Sequence, residues 1–203
     1  MHDTNIIKPV LITGCGRSGT HFTVNLLQKA NIDSSHEYEK PHHRPRVRVS
    51  WFHGDAEHSP NQQDVIRVIH QVRNPKKVIS GFNNVRVMQW EVIDGTLNRK
   101  YGLSLEQPYI DDVNLVKNAI TYVYYWNRMV EERACYRFRI ENVREEWDTL
   151  VEMLGFEKRE YPENGPHTTL GTTEHRQIEW DEILQYPIGE DVRNMAIEYG
   201  YED

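Results

Sequence analysis

The stretch from Pro9 to Ala30 constrains the fold of this chain more than any other. Pro9-Val10-Leu11-Ile12-Thr13 is a short apolar, β-branched run that ends in glycines, the pattern of a buried parallel strand. Helical spacing follows, with Phe22, Leu26, Leu27 and Ala30 on one face. Between the two lies Gly14-Cys15-Gly16-Arg17-Ser18-Gly19-Thr20-His21. Strand, glycine-rich turn and helix open many α/β nucleotide-binding folds. Glycines let successive backbone N–H groups turn inward, and the helix N-terminus adds partial positive charge, so the turn suits a phosphate. The plainer alternative is a turn that only connects strand to helix.

The remaining pattern extends this unit. Val47–Phe52, Val65–Val72 and Cys135–Ile140 read as further strands. After Asn74-Pro75 the period becomes helical, with Val78, Ile79, Phe82, Val85, Met88 and Val92 on one face and Pro75 suited to the first turn. Gly95–Pro108 reads as a loop. Val113, Val116, Ile120, Val123 and Val130 trace a long amphipathic helix whose aromatics, Tyr122, Tyr124, Tyr125 and Trp126, suit a core or an interface. Trp147, Leu150, Val151 and Leu154 mark another helix, and one or two short ones follow Trp180. No repeat, low-complexity tract or linker divides the chain. The expectation is a single domain over residues 1–203, an α/β fold of P-loop type in three layers. Its mostly parallel central sheet should have about four to five strands, with helices on both faces and the ligand across the strands' carboxyl ends.

Composition narrows the function. The chain has 24 Lys and Arg against 31 Asp and Glu, a formal net charge of -7, which disfavours broad nucleic-acid binding. Its two cysteines, Cys15 and Cys135, form no disulfide framework and fit a reducing compartment. No signal peptide is visible, and no apolar stretch approaches the roughly 20 residues that cross a bilayer, so the expected location is cytoplasmic, without membrane contact. His36, His42, His43, His53 and His58 lack cysteine partners and regular helical spacing, so no metal site is expected. Cys15, beside a helix N-terminus, should have a depressed pKa and react with thiol reagents.

Gly14 and Gly19 have the spacing of the ATP-binding pattern G-x-x-x-x-G-K-[ST], but Thr20 stands at the lysine position and His21 at the magnesium-hydroxyl position. ATP chemistry on such a turn needs both of those groups. The cation here is Arg17, with Ser18 and Thr20 supplying hydroxyls. Gly16-Arg17-Ser18-Gly19-Thr20 resembles the 5′-phosphosulfate loop of the sulfotransferases that use 3′-phosphoadenosine-5′-phosphosulfate (PAPS), in its Arg-Ser-Gly-Thr form. The resemblance implies that Arg17 and the loop from Gly14 to His21 hold the 5′-phosphosulfate, with Arg17 stabilising the departing phosphate. It further implies that 3′,5′-adenosine bisphosphate is the product.

Arg73-Asn74-Pro75-Lys76-Lys77-Val78-Ile79-Ser80-Gly81 is similar to the same family's 3′-phosphate motif, in which a strand delivers an arginine and the next helix a serine. By that resemblance Arg73 and Ser80 bind the 3′-phosphate. The family places its serine eight residues after the arginine; that position is Gly81 here, and Ser80 lies one residue earlier, turned by about 100°. Sulfuryl transfer to a hydroxyl also needs a base. Ser35-His36-Glu37 corresponds to the family's Gly-His-Glu, which implies His36 or Glu37; histidine is the better base near neutral pH. Arg139-Ile140-Glu141-Asn142-Val143 resembles the family's Tyr-Glu-Asp-Leu segment, with a mainly structural glutamate. Thr173–Leu184, with His175, Trp180 and Asp181, resembles the C-terminal stretch of small members. The Arg-Lys-Gly cofactor loop has no counterpart.

The expected reaction is therefore sulfuryl transfer from PAPS, without a metal, to a hydroxyl or amine of a small-molecule or glycan acceptor. The basic run Lys40–Arg48 offers an anionic glycan one surface. Two alternatives stay open: a magnesium-dependent nucleotide or small-molecule kinase, and a non-catalytic nucleotide-binding module. Gly81 and the missing Arg-Lys-Gly loop favour the module.

Overall fold

A computed structural model describes residues 10–36, 45–51, 67–84, 87–107, 109, 112–163 and 176–201. Its centre is β1 (Val10–Thr13), the strand expected from the apolar run. The sheet continues with β2 (Ser34–His36), β3 (Val47–Ser50), β4 (Arg67–Val72) and β5 (Ala134–Arg139), in the spatial order β2-β3-β1-β4-β5. All four pairings are parallel. β2 is the strand the apolar pattern does not reveal, because Ser34-Ser35-His36 carries no hydrophobic side chain; pairing with β3 alone makes it a strand.

Side chains alternate across the pleat, so successive residues of a strand supply opposite layers. Val10, Ile12, Val47, Val49, Ile69 and Phe138 pack under α1 (Thr20–Lys29) and α5 (Trp147–Met153). The other face is covered by α2 (Pro75–Ser80), α3 (Val87–Tyr101), α4 (Asp112–Glu131), α6 (Trp180–Ile183) and α7 (Gly189–Glu198). The architecture is the expected three-layer α/β fold around a parallel sheet. No helix among the described residues is long and apolar enough to cross a membrane.

Two expectations are corrected. The helix opened by Pro75 does not run on through Val92; it stops at Ser80, and Gly81–Asn84 forms a 3-10 turn before α3 begins. Glycine is a poor helix former, and the Gly81 carbonyl is bonded by Arg17 from another element. Met88 is consequently 66% exposed rather than in the core. Conversely, much of the expected loop Gly95–Pro108 is helical, since α3 continues to Tyr101. Burial of Trp90, Ile93 and Leu97 outweighs the cost of roughly 1 kcal/mol for Gly95 within a helix. The loop that follows is pinned: Asp94 accepts from the Leu105 amide and the Tyr109 hydroxyl, and Asn118 accepts from the Glu106 amide.

β1 sits where the connections diverge. The chain leaves β1 through α1 over one face toward β2 and β3, and leaves β4 through α2 over the other. In open α/β sheets, the crevice at such a switch point binds ligands. The turns after β1 and β4 flank it.

Candidate anion-binding site

Gly14 to Gly19 form the turn between β1 and α1. A Cβ at Gly14 would collide with the Gln71 carbonyl, so the backbones of β1 and β4 approach there as only glycine allows. Gly19 and Arg17 both have left-handed backbone, with φ 94° and 68°. For arginine that conformation is uncommon and costs energy. α1 starts with no side-chain cap and no acidic residue in its first turn. Its partial positive charge therefore faces the turn without an internal counter-charge. Ser18 is 1% exposed, and its Oγ, like Thr13 Oγ1 at the end of β1, has no hydrogen-bond partner among the described residues.

The turn is fixed from beneath by neutral side chains. Gln71 Nε2 donates to the Ser18 carbonyl at 2.8 Å, and its Oε1 accepts from Thr23 Oγ1 at 2.7 Å. The Tyr122 hydroxyl accepts the Gly16 N–H at 2.7 Å. Two loop amides are thus committed to the protein, since the Ser18 N–H also donates to the Cys15 carbonyl at 3.1 Å, and Tyr122, expected to be core, is core with its hydroxyl on the turn. Gln71 and Tyr122 are the functional-site neighbours that sequence reading missed. A glutamine inside the apolar run of β4 was a usable signal; a tyrosine among many aromatics was not.

Above the turn lie the cations. Arg73 Nη1 donates to the Arg17 carbonyl at 3.0 Å, and Arg17 Nε donates to the Gly81 carbonyl at 2.7 Å. Burial and the nearby Arg73 charge both lower the Arg17 pKa. Neither arginine has an ion pair among the described residues. Asn74 caps α2 by accepting the Lys76 N–H at 2.9 Å, and Glu141 anchors this corner by accepting from the Asn74 amide and the Tyr201 hydroxyl. That is the structural part the resemblance implies for Glu141. Ser80, however, donates its proton to the Lys76 carbonyl one turn back at 2.7 Å. As it stands, Ser80 has no proton to offer a phosphate.

His36, at the end of β2, comes to the same turn from the other side. Its Nε2 lies 3.0 Å from Thr20 Oγ1, and its ring stacks on exposed His21 with centroids 3.6 Å apart. His36 is only 5% exposed; burial, and then the His21 charge, push its pKa down to about 4. The imidazole is neutral through the physiological range, and the same burial weakens it as a proton acceptor. Glu37, the other expected base, lies outside the described residues, as do His42, His43, His53, His58 and His175. Among the described residues no group of acidic, histidine and cysteine side chains could hold a metal.

Cys15 contradicts its expectation. Its side chain turns under α4, 1% exposed, with Sγ 3.8 Å from the Val123 carbonyl. Desolvation raises its pKa, overriding the helix N-terminus, so it is an inert core thiol. Only its backbone belongs to the turn.

No protein-family model matches the chain, and no curated protein matches it. Among solved structures, mouse sulfotransferase SULT7A1 complexed with PAP is similar at 13% sequence identity and a TM-score of 0.36. The match takes in 75% of this chain and 60% of the mouse chain.

Proposed function

We propose that the chain is a sulfotransferase that uses PAPS and sulfurylates a hydroxyl or amine of a small-molecule or glycan acceptor. One observation carries this reading. Arg17 and Arg73 meet at the carboxyl ends of adjacent strands, beside an uncapped helix N-terminus, in a turn that lacks the lysine ATP chemistry needs. The 5′-phosphosulfate would lie against the amides at the start of α1, near the Ser18 and Thr20 hydroxyls. The acceptor oxygen or nitrogen attacks sulfur in line, forming its new bond as the bridging S–O bond to the 5′-phosphate breaks. The bond's electron pair leaves with that phosphate, whose charge the helix N-terminus stabilises. The acceptor proton passes to neutral His36.

The burial of His36 favours one second reading, a nucleotide-binding module without transfer activity. Melting temperatures with 3′,5′-adenosine bisphosphate, 5′-AMP and ATP with Mg²⁺ separate the possibilities, because ligands raise them by mass action. The bisphosphate should stabilise most. A larger effect of ATP with Mg²⁺ would replace this reading by a kinase. With labelled PAPS and an acceptor panel, His36→Ala should lower turnover about 10²-fold or more; absence of turnover in the wild type, despite bisphosphate binding, leaves the module.

A further inference from the structure

α3 buries one face and leaves the other in solvent. At 3.6 residues per turn, Trp90, Ile93 and Leu97 share the inward side; all three are buried, and the Trp90 ring meets Tyr122 of α4. The outward side is centred on Gly95. Around it stand Met88, Glu91, Val92, Asn98 and Arg99, every one exposed. Two of these are large and apolar, with Met88 66% and Val92 37% exposed. Gly95 itself weakens the helix it sits in, because glycine loses more conformational freedom there than any other residue. Nothing among the described residues requires it. Its backbone is not left-handed, and a Cβ at 95 would meet only Arg99 Nη1, at 3.5 Å, an ordinary contact.

Charge indicates what this face fits. Glu91, Gly95 and Arg99 follow one another at intervals of four and form one row along the helix surface. Glu91 and Arg99 are separated by about 12 Å along the axis, too far to pair within their own helix. Neither has an ion pair among the described residues, and Arg99 Nη2 donates to Thr96 Oγ1 at 3.3 Å. Turning the row end for end about Gly95 exchanges the acid with the base. A second α3 crossing antiparallel at Gly95 therefore sets Glu91 against Arg99 twice. A crossing near −50°, the class in which rows of this spacing run parallel, aligns the two rows. The adjoining Met88–Val92 row of one copy then lies against the same row of the other, and a glycine at the crossing lets the backbones approach.

We propose that this face of α3 is a homodimer interface, in which two copies cross antiparallel at Gly95. Glu91 and Arg99 pair reciprocally, and Met88 and Val92 are shielded beside them. A second copy fits better than an unrelated partner because acid and base lie equally far on either side of the glycine, as a self-complementary two-fold contact requires. One helix pair is a small interface, so the dissociation constant is expected between about 1 and 100 μM. The proposal is independent of the sulfotransferase reading.

The test is sedimentation equilibrium of the full chain over about 1 to 500 μM, a range that brackets that constant. Variants are Met88→Glu, Gly95→Gln, Glu91→Arg, Arg99→Glu and the double reversal Glu91→Arg with Arg99→Glu. The expected result is a monomer–dimer equilibrium in the wild type, weakened about tenfold or more by Met88→Glu, Gly95→Gln and each single reversal. Each single reversal sets like charges together twice, whereas the double reversal should restore the affinity to within about threefold. Gly95→Gln should also raise the melting temperature of the dilute monomer, since glutamine suits a helix better than glycine. Should any one variant fold poorly, the charge reversals decide alone. A wild type that stays monomeric at about 500 μM overturns the proposal. So does a dimer whose affinity is unchanged in Met88→Glu and Gly95→Gln, or a double reversal as weak as the single ones.

Discussion

On its inner side the turn after β1 rests on Gln71, Tyr122 and Thr23, all buried and neutral, whereas its outer side carries Arg17, Arg73 and His21, partly or fully open to solvent. His70 and Asn127, bonded at 2.9 Å, continue the neutral network deeper, between β4 and α4. The inner groups reach the turn from β4, α1 and α4 and hold its backbone through matched donors and acceptors. The outer groups hold mainly carbonyls and keep charged donors in excess. A shape set by neutral bonds in a dry interior does not relax when the charged side gains or loses a ligand. Preorganisation and charge are thus assigned to different residues, and they should fail separately when mutated.

The largest effect expected on the inner side is acid sensitivity. Burial pushes His70 down to about 4, against roughly 6.5 in an unfolded chain. The unfolded state therefore binds the proton more readily, and stability is full above about pH 6.5 and lost as pH falls toward 4. The loss approaches 3 kcal/mol for this histidine. Urea melts at several pH values should show a shallower slope over that window in His70→Gln; an unchanged slope would break the distinction between a neutral interior and a charged rim.

Next in size, Gln71→Leu removes both bonds that hold the Ser18 carbonyl and Thr23. A loss of about 2–3 kcal/mol is expected in the same melts, with anion affinity falling as the turn loosens. The comparison sharpens with Tyr122→Phe, which keeps the ring among Phe82, Trp90 and Trp126 but leaves the Gly16 amide unpaired, for about 1 kcal/mol. Smallest in stability is Arg73→Ala, expected within about 0.5 kcal/mol of the wild type without ligand although phosphate affinity falls sharply. If Arg73→Ala destabilised the free protein as much as Gln71→Leu, the two sides would not be separate.

Much of this frame was legible beforehand because it depends on local pattern. Val10–Ile12, the glycines of the turn and the apolar face of α1 announce strand, turn and helix within a few tens of residues, and Asn74-Pro75 announces the start of α2. β2 was not legible, since Ser34-Ser35-His36 is a strand only through its neighbour. The extent of α3 through Gly95 was hidden for a related reason: burial against α4 outweighs local propensity. Cys15 was misread because the pull of a helix N-terminus is local, while the desolvation that overrides it comes from α4, more than a hundred residues away.

By itself the sequence determined four of the five strands, the glycine turn and the helix after it, the absence of its lysine and the two arginines that follow β1 and β4. Those features depend on neighbouring residues, whose spacing sets which side chains share a face. Only the tertiary structure decided that Tyr122 and Gln71 support the turn, that Ser80 is bonded to its own helix and that Arg17 lies over Gly81 beside Arg73. Each of these is a contact between residues distant along the chain, fixed to a few tenths of an ångström by packing that no local pattern encodes.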